Sequence, residues 1–484
     1  MTLVRYPQHC APPPAFLPNR TQTMDPLLLS RLQFAFTMGY HILWPAFTIG
    51  LAWYIVLLSA LWLRTDNPVY QLLVAFWTKV FALAFGMGVV TGVVISYQLG
   101  LNWSRYASAT ADAIGPLFVL EVLTAFFMEA GFIGIMLYGE RRVGAKLHFS
   151  ACLVVAIGTV LSAFWIISAN SWMQTPTAFT TTGGQFVATD FWGVIFNPSM
   201  PYRLAHMLTA SFITGGFVVT GVAAFWLLRG REVDQAPARA AFSLCLWMLA
   251  VLVPLQMEIG DQHGLNTRQY QPMKLAAIEA RWDTGRGVPI TLIAWPNSAT
   301  ESNDYAVEIP KLGSIILTHS LDGEVRGLKE VPPSERPPVL PVFLAFRVMV
   351  GCGMLMLVVA FTGLYLRWKR RLFSTRWYFY ACIGTIPLGF IATLAGWTVT
   401  EVGRQPYVVY GHLRTADAVS PIAGGAVASS LGVALILYNL LLLGFLWYAG
   451  RMVLRGTGAP VSTPPAASTV GVMGLLSTSE GPSK

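Results

Sequence analysis

The chain has 484 residues, 55% of them apolar and only 11% charged, a balance that excludes a water-soluble protein with one buried core and points to a membrane protein. Its formal charge of +9 is scattered through short connections between apolar runs, with no basic patch interleaved with aromatics, so nucleic acid is not expected as a partner. Of the five cysteines, Cys152, Cys245, Cys352 and Cys382 lie inside apolar runs and Cys10 in a polar stretch, and no CxxC or CxxCH occurs, which excludes a disulfide framework, iron–sulfur clusters and covalently attached haem.

Residues 1–26 are polar and Pro-rich and lack the continuous apolar core of a signal peptide. They read as a disordered tail or as the product of a misassigned start, with Met24 as the natural beginning. From there nine apolar stretches of spanning length follow, at about 28–63, 72–100, 114–139, 148–172, 203–229, 239–261, 339–367, 376–401 and 421–450. The fold expected is an all-α polytopic membrane protein, one nine-helix domain over 27–455. The Ser/Thr/Pro/Gly-rich stretch 456–484 reads as a disordered tail.

Alternate loops differ in charge. One set carries Arg141, Arg142 and Lys146, then Arg229, Arg231 and Arg239, then Arg367, Lys369, Arg370, Arg371 and Arg376, and the tail adds Arg451 and Arg455. The other short loops carry little beyond Arg105, Arg203, Arg404 and Arg414. The positive-inside rule puts the first set in the cytoplasm, the N-terminus outside and the C-terminus inside. Parity then leaves the one long hydrophilic segment, 262–338, on the outer face. It holds a helix-favouring piece, Met273–Trp282, and is too long for a plain connection.

Few polar groups lie at bilayer depth, where an ionised side chain costs roughly 2.5–3.5 kcal/mol or more. His41 lies about 15 Å along the first helix from Arg31. His206 begins the fifth span, Met349 lies in the outer half of the seventh, and Glu401 ends the eighth, one turn before Arg404. Each has an ordinary explanation: a packed or interfacial histidine, a packing methionine, an ion pair. Together, imidazole, thioether and carboxylate on four helices at one side of the bilayer are the ligand types that hold haem iron. Glu121 and Glu129 share the third span, 80° past two turns and about 12 Å apart on a regular helix; a proton relay or polar packing explains them, and Lys79 of the second span either neutralises one or snorkels to an interface.

Five stretches carry a resemblance that extends from about Ser30 to Arg451. They are Ser30-Arg31-Leu32-Gln33-Phe34-Ala35-Phe36, Asn170-Ser171-Trp172-Met173-Gln174, Lys274-Leu275-Ala276-Ala277-Ile278-Glu279, Phe346-Arg347-Val348-Met349, and the run from Gly396-Trp397 through Glu401 to Gly403-Arg404-Gln405-Pro406. The chain resembles subunit I of the cytochrome bd family of quinol oxidases.

That resemblance implies roles. His41 matches the axial ligand of haem d in the oxygen-reducing pair, and Glu401 the ligand of the high-spin haem b beside it. His206 and Met349 match the two ligands of the low-spin haem b, and Arg347 an arginine that supports it. Trp397 matches a tryptophan near the haems, and Arg404 stands in the same motif. Lys274 and Glu279 match the quinol-loop pair, and Glu121 and Glu129 the acidic residues of the proton path. The implied complex sits in a bacterial cytoplasmic (inner) membrane, with a subunit II, a small single-helix subunit, ubiquinol or menaquinol, O2 and lipid as partners. It generates a membrane potential without a separate pump. Two departures stand out. The loop lacks an insertion before the seventh span, as in the cyanide-insensitive branch, so the third haem is d or b-type. Tyr407 stands where the family motif ends in tryptophan. Two rivals are a b-type electron carrier that does not reduce O2 and a proton-coupled transporter built on Glu121 and Glu129.

Overall fold

The computed structural model describes residues 25–139 and 142–458; the two tails of the sequence reading, with Cys10, and Arg141 fall wholly or largely outside the described residues. Nine helices among the described residues are long and apolar enough to cross a bilayer. They are α1 (Pro26–Thr65), α2 (Pro68–Asn102), α3 (Ser104–Tyr138), α4 (Ala145–Gln174), α5 (Met200–Arg229), α6 (Glu232–Tyr270), α7 (Val339–Trp368), α8 (Arg376–Val402) and α9 (Gly424–Arg455). Local chemistry starts them cleanly. Asp25 accepts from Leu27 N with Pro26 in the first turn of α1, and Asn67 accepts from Val69 N with Pro68 opening α2.

α5 and α1 form the interior, with 72% and 67% of their most apolar windows buried, whereas α3 and α9 are peripheral at 11% and 17%. The two interior helices cross where small residues let the backbones touch. A Cβ added at Gly50 would stand 2.3 Å from the Ser211 carbonyl oxygen, and one at Gly215 would stand 3.1 Å from the Gly50 carbonyl carbon. Ser211 and Gly215 are one turn apart, the small-xxx-small spacing of tight membrane crossings.

Three expectations need correction. The sixth span does not end near 261 but runs to Tyr270, because its polar end finds protein partners: Asn266 donates to Pro198 O (3.0 Å) and accepts from Ser199 Oγ (2.8 Å). The eighth span is two helices, Arg376–Gly384 and Leu388–Val402, interrupted just before and at Pro387, which has no N–H for a continuous ladder. The third span is not a regular helix. It contains a π turn at Glu121–Phe126, which rotates less per residue than an α turn.

The long loop is ordered. It holds a short helix (Pro272–Ile278), an antiparallel hairpin (Ile290–Asn297 with Ser302–Ile309) and a second short helix (Leu312–Thr318). Ala276, Ile278, Trp282 and Leu328 of the loop pack with Val342 and Phe343 of α7, which seats the loop on that end of the bundle.

Candidate functional site

Glu401 lies in the last turn of α8. Its Oε2 pairs with Arg404, and its Oε1 accepts from Asn170 Nδ2 (3.0 Å) and Gln174 Nε2 (3.4 Å). Asn170 and Gln174 are four apart at the end of α4 and so share one face. Each amide also accepts from a cation, Asn170 from Arg203 of α5 and Gln174 from Lys274 Nζ at 2.6 Å. With both oxygens taken by donors, both NH2 groups must face Glu401, so the network fixes the amide orientations. The ion pair of the sequence reading is therefore present, but as one edge of a larger cluster.

That cluster is buried and carries excess positive charge. Arg203, Lys274 and Arg404 are 9%, 4% and 4% exposed, around one carboxylate. Lys274 is held well below the usual lysine range, first by burial and then by repulsion from Arg203 and Arg404. Arg203 Nε and both Nε and Nη1 of Arg404 are buried without a partner. A buried unpaired donor costs about 1–3 kcal/mol, more when charged. Three in one place mark a site for acceptors that the chain itself does not provide.

The other candidate ligands each face a glycine of a neighbouring helix. Thr91 gives its hydroxyl proton to Met87 O (2.9 Å), so its oxygen accepts from His41 Nδ1 (2.9 Å). That bond leaves the lone pair on Nε2, the arrangement a metal-ligating histidine needs. A Cβ at Gly92 would stand 3.2 Å from His41 Cε1, one at Gly260 would stand 3.3 Å from His206 Cε1, and one at Gly396 would stand 3.0 Å from Met349 Sδ. His206 Nδ1 is buried without a partner, and the His263 ring lies edge-on at 5.6 Å. Trp397, beside Gly396, reaches α1: its ring is 3.8 Å from a Cβ built on Gly39, two residues before His41. The helix ends carrying Met349, Trp397, Glu401, Arg203 and His206 thus meet, with His41 close by.

Lys274 and Glu279 do not meet as a pair. Lys274 points into the Glu401 cluster, whereas Glu279 pairs with Arg347 Nη2 at 2.7 Å. Arg347 also donates to Thr291 O from Nε (2.9 Å) and Nη2 (2.6 Å) and stacks over Phe343. Glu121 and Glu129 both face α4. Ser162 Oγ donates to Glu121 Oε1 (2.8 Å), and a Cβ at Gly158 would stand 2.6 Å from Glu129 Cγ. The π turn between them takes up rotation that a regular helix would leave as an 80° offset. Glu129 Oε1 is buried without a partner. Lys79 is exposed on α2, and no ion pair involves it among the described residues, so of its two readings the neutralising one is not seen.

The sequence offered no sign of Arg203, which looked like a loop charge, or of His263, Ser162, Gly92 and Gly260; Gly396 stood only inside a motif. Asn170 and Gln174 likewise stood only inside a motif; their spacing of four was the available signal.

The chain matches the sequence profile described as cytochrome bd terminal oxidase subunit I over residues 29–457. It is 34% identical to cytochrome bd ubiquinol oxidase subunit 1 of Bacillus subtilis (strain 168), over 92% of this chain and 99% of the relative. It is 32% identical to cytochrome bd-II ubiquinol oxidase subunit 1 of Escherichia coli (strain K12), over 91% and 99%. Among solved structures, the bd oxidase from Geobacillus thermodenitrificans superposes with a TM-score of 0.82 at 32% identity, covering 90% of this chain and 99% of that one.

Proposed function

The chain belongs to the cytochrome bd terminal oxidase subunit I family, and on that footing we propose that it oxidises quinol at the outer face of the membrane and supplies the ligands at which O2 is reduced to water. It is a quinol oxidase subunit of a bacterial inner membrane. The transporter and electron-carrier readings fall with that membership.

The residues present fit haem. Haem would supply at this site an iron able to carry electrons and to take O2. Low-spin iron needs two ligands, and His206 and Met349 would serve it, each with a glycine opposite. The oxygen-reducing iron needs one, and His41 with its Nδ1 fixed by Thr91 would serve haem d or a third b-type haem. Glu401 would serve the high-spin haem b, with Asn170 and Gln174 orienting the carboxylate. Arg404 and Arg203 have unpartnered donors suited to a haem's carboxylate groups. Arg347 and Trp397 would flank the haems.

Glu279, held by Arg347, would take part in quinol oxidation, and Lys274 would join the loop to the Glu401 cluster. Ser162 and the two carboxylates facing α4 would carry protons from the cytoplasm. With quinol protons released outside and oxygen protons drawn from inside, turnover generates a membrane potential without a pump. The N-terminus outside and the C-terminus inside follow the loop charges. A subunit II and a small single-helix subunit would complete the complex. Relatives carry both ubiquinol and menaquinol in their names, so either quinol is a substrate candidate.

The observation that carries this reading is the Glu401 cluster: one carboxylate, two buried guanidinium groups, a buried lysine and three unpaired donors. Haem extraction from the purified complex, with a pyridine haemochrome spectrum, tests it. Two b-type haems with a third pigment are expected, and a complex without haem overturns it.

A further inference from the structure

In the hairpin Ile290–Asn297/Ser302–Ile309 the first strand has one covered and one bare side, and the second strand is exposed along its length except at Asn303. Thr291 and Ala294 are buried, Ala294 with Phe343 of α7 and Trp282. Asn303 locks the other strand to the loop core by accepting from Trp282 Nε1 (2.9 Å) and donating to Ala280 O (3.0 Å). The bare side is mostly apolar, with Leu292, Ile293, Trp295, Tyr305 and Val307 at 41%, 66%, 53%, 90% and 52% exposed and the exposed Asp304 opposite Trp295. Such a surface on a loop in water would be an aggregation hazard.

Two irregularities in pairing create it. Thr291 opposes Glu308, yet Ile293 opposes Val307, so Leu292 is an extra residue and is turned outward with Ile293. Between Ile293/Val307 and Trp295/Asp304 the extra residue is on the second strand, where Tyr305 sits at φ 56°. A left-handed conformation is unfavourable for an aromatic residue. Here it swings the ring away from the chain, toward something the chain does not contain.

The depth of this face can be counted. Charge resumes on α7 at Arg367, opening Arg367-Trp368-Lys369-Arg370-Arg371. About twenty residues cross the hydrocarbon, so the opposite boundary falls near Arg347. Arg347 holds Thr291 O, so Leu292 and Ile293 start within about 7 Å of that boundary at roughly 3.3 Å per strand residue. Leu344 and Val348, beside Arg347 on α7, are exposed apolar residues at the same level. Trp295 and Tyr305 lie farther along the strands, at the distance where aromatic belts meet headgroups.

We propose that this hairpin is an interfacial anchor whose bare face rests on the headgroup–acyl boundary of the leaflet on the loop side. The occupant is zwitterionic phospholipid. The charges on the strands are Asp304 and Glu308, bonded to Asn297 and Thr291; Glu301 in the turn is paired with Arg336, and Lys311 lies past the strand end, so the face itself gives anionic headgroups no attraction. The anchor holds the loop that carries Glu279 against the leaflet in which a lipid-soluble quinol travels. The placement itself stands without that quinol reading.

The complex with Val307→Cys and Cys10→Ser, labelled with NBD, tests the proposal in phosphatidylcholine nanodiscs. The other four cysteines are buried in the spans and stay unlabelled. Lipid bearing a doxyl group near the headgroup end of its acyl chain is expected to quench the probe about twofold. Ile293→Cys, the cross-strand partner, should repeat the result. Absence of doxyl quenching at both positions overturns the anchor; iodide then tells whether water or a protein neighbour covers the face.

Discussion

At Glu401 a single carboxylate faces more positive charge than it can neutralise, and that imbalance separates ligation from a plain ion pair. Breaking a buried pair costs about 3–5 kcal/mol, because the surviving charge is left alone. If the cluster serves structure only, Glu401→Ala and Arg404→Ala should be equally damaging and all haem signals should fall together. If Glu401 holds the high-spin haem b, Glu401→Ala should remove that one b-type signal and O2 reduction, while the low-spin signal survives. Membrane spectra normalised to protein discriminate the two. Met349→Leu offers the parallel test at the low-spin site. It conserves volume and should cost under about 1.5 kcal/mol of packing, yet the low-spin haem should be lost or its potential should drop sharply. An unchanged spectrum and potential would take Met349 off the ligand set. Glu401 was visible in the sequence because a carboxylate at bilayer depth is expensive. Asn170, Gln174 and Arg203 were not, because two amides and an arginine near a span's end look ordinary until their contacts are known.

Helices here are positioned by a few places where nothing larger than glycine fits. The α1–α5 crossing carries His41 on one helix and His206 on the other, so its closeness sets their separation. Gly50→Leu would drive a side chain into the Ser211 backbone, 2.3 Å from where its Cβ begins. Overpacking costs roughly 1–3 kcal/mol when neighbours can yield, and more against backbone. Lower melting temperature and reduced haem per protein are expected together; normal values for both would mean that the crossing opens without harm. The helices were legible as a set because a bilayer demands long apolar runs. Their details were less so. A rotation of 100° per residue was assumed for α3, and nothing in Glu121–Phe126 announced a π turn. The end of α6 was misjudged because hydropathy cannot see that Asn266 has buried partners. The break at Pro387 had a visible signal, the proline itself, that the apolar run masked.

Across the whole molecule, the loop is fastened to the bundle at separate points, and this gives Lys274 and Glu279 different surroundings. Lys274 enters the bundle and bonds Gln174, which holds Glu401; Glu279 stays at the loop's seat on α7 with Arg347. The sequence placed both on one short helix and so treated them as a pair; spatial partners across α4, α7 and α8 cannot be read from one chain segment. Their separation makes a prediction that the paired reading does not. If Glu279 serves quinol, Glu279→Gln should slow quinol oxidation, with every haem signal and O2 binding to the reduced enzyme unchanged. Lys274→Met keeps the buried stem but removes the donor to Gln174 Oε1. Gln174 is then free to turn, and Glu401 loses one oriented hydrogen bond. The high-spin haem b should shift in spectrum or potential in this variant alone, whatever happens to quinol turnover. Redox titration of both variants in membranes checks it. A high-spin signal that moves in neither variant, with equal loss of turnover in both, would return Lys274 to a purely quinol-side role.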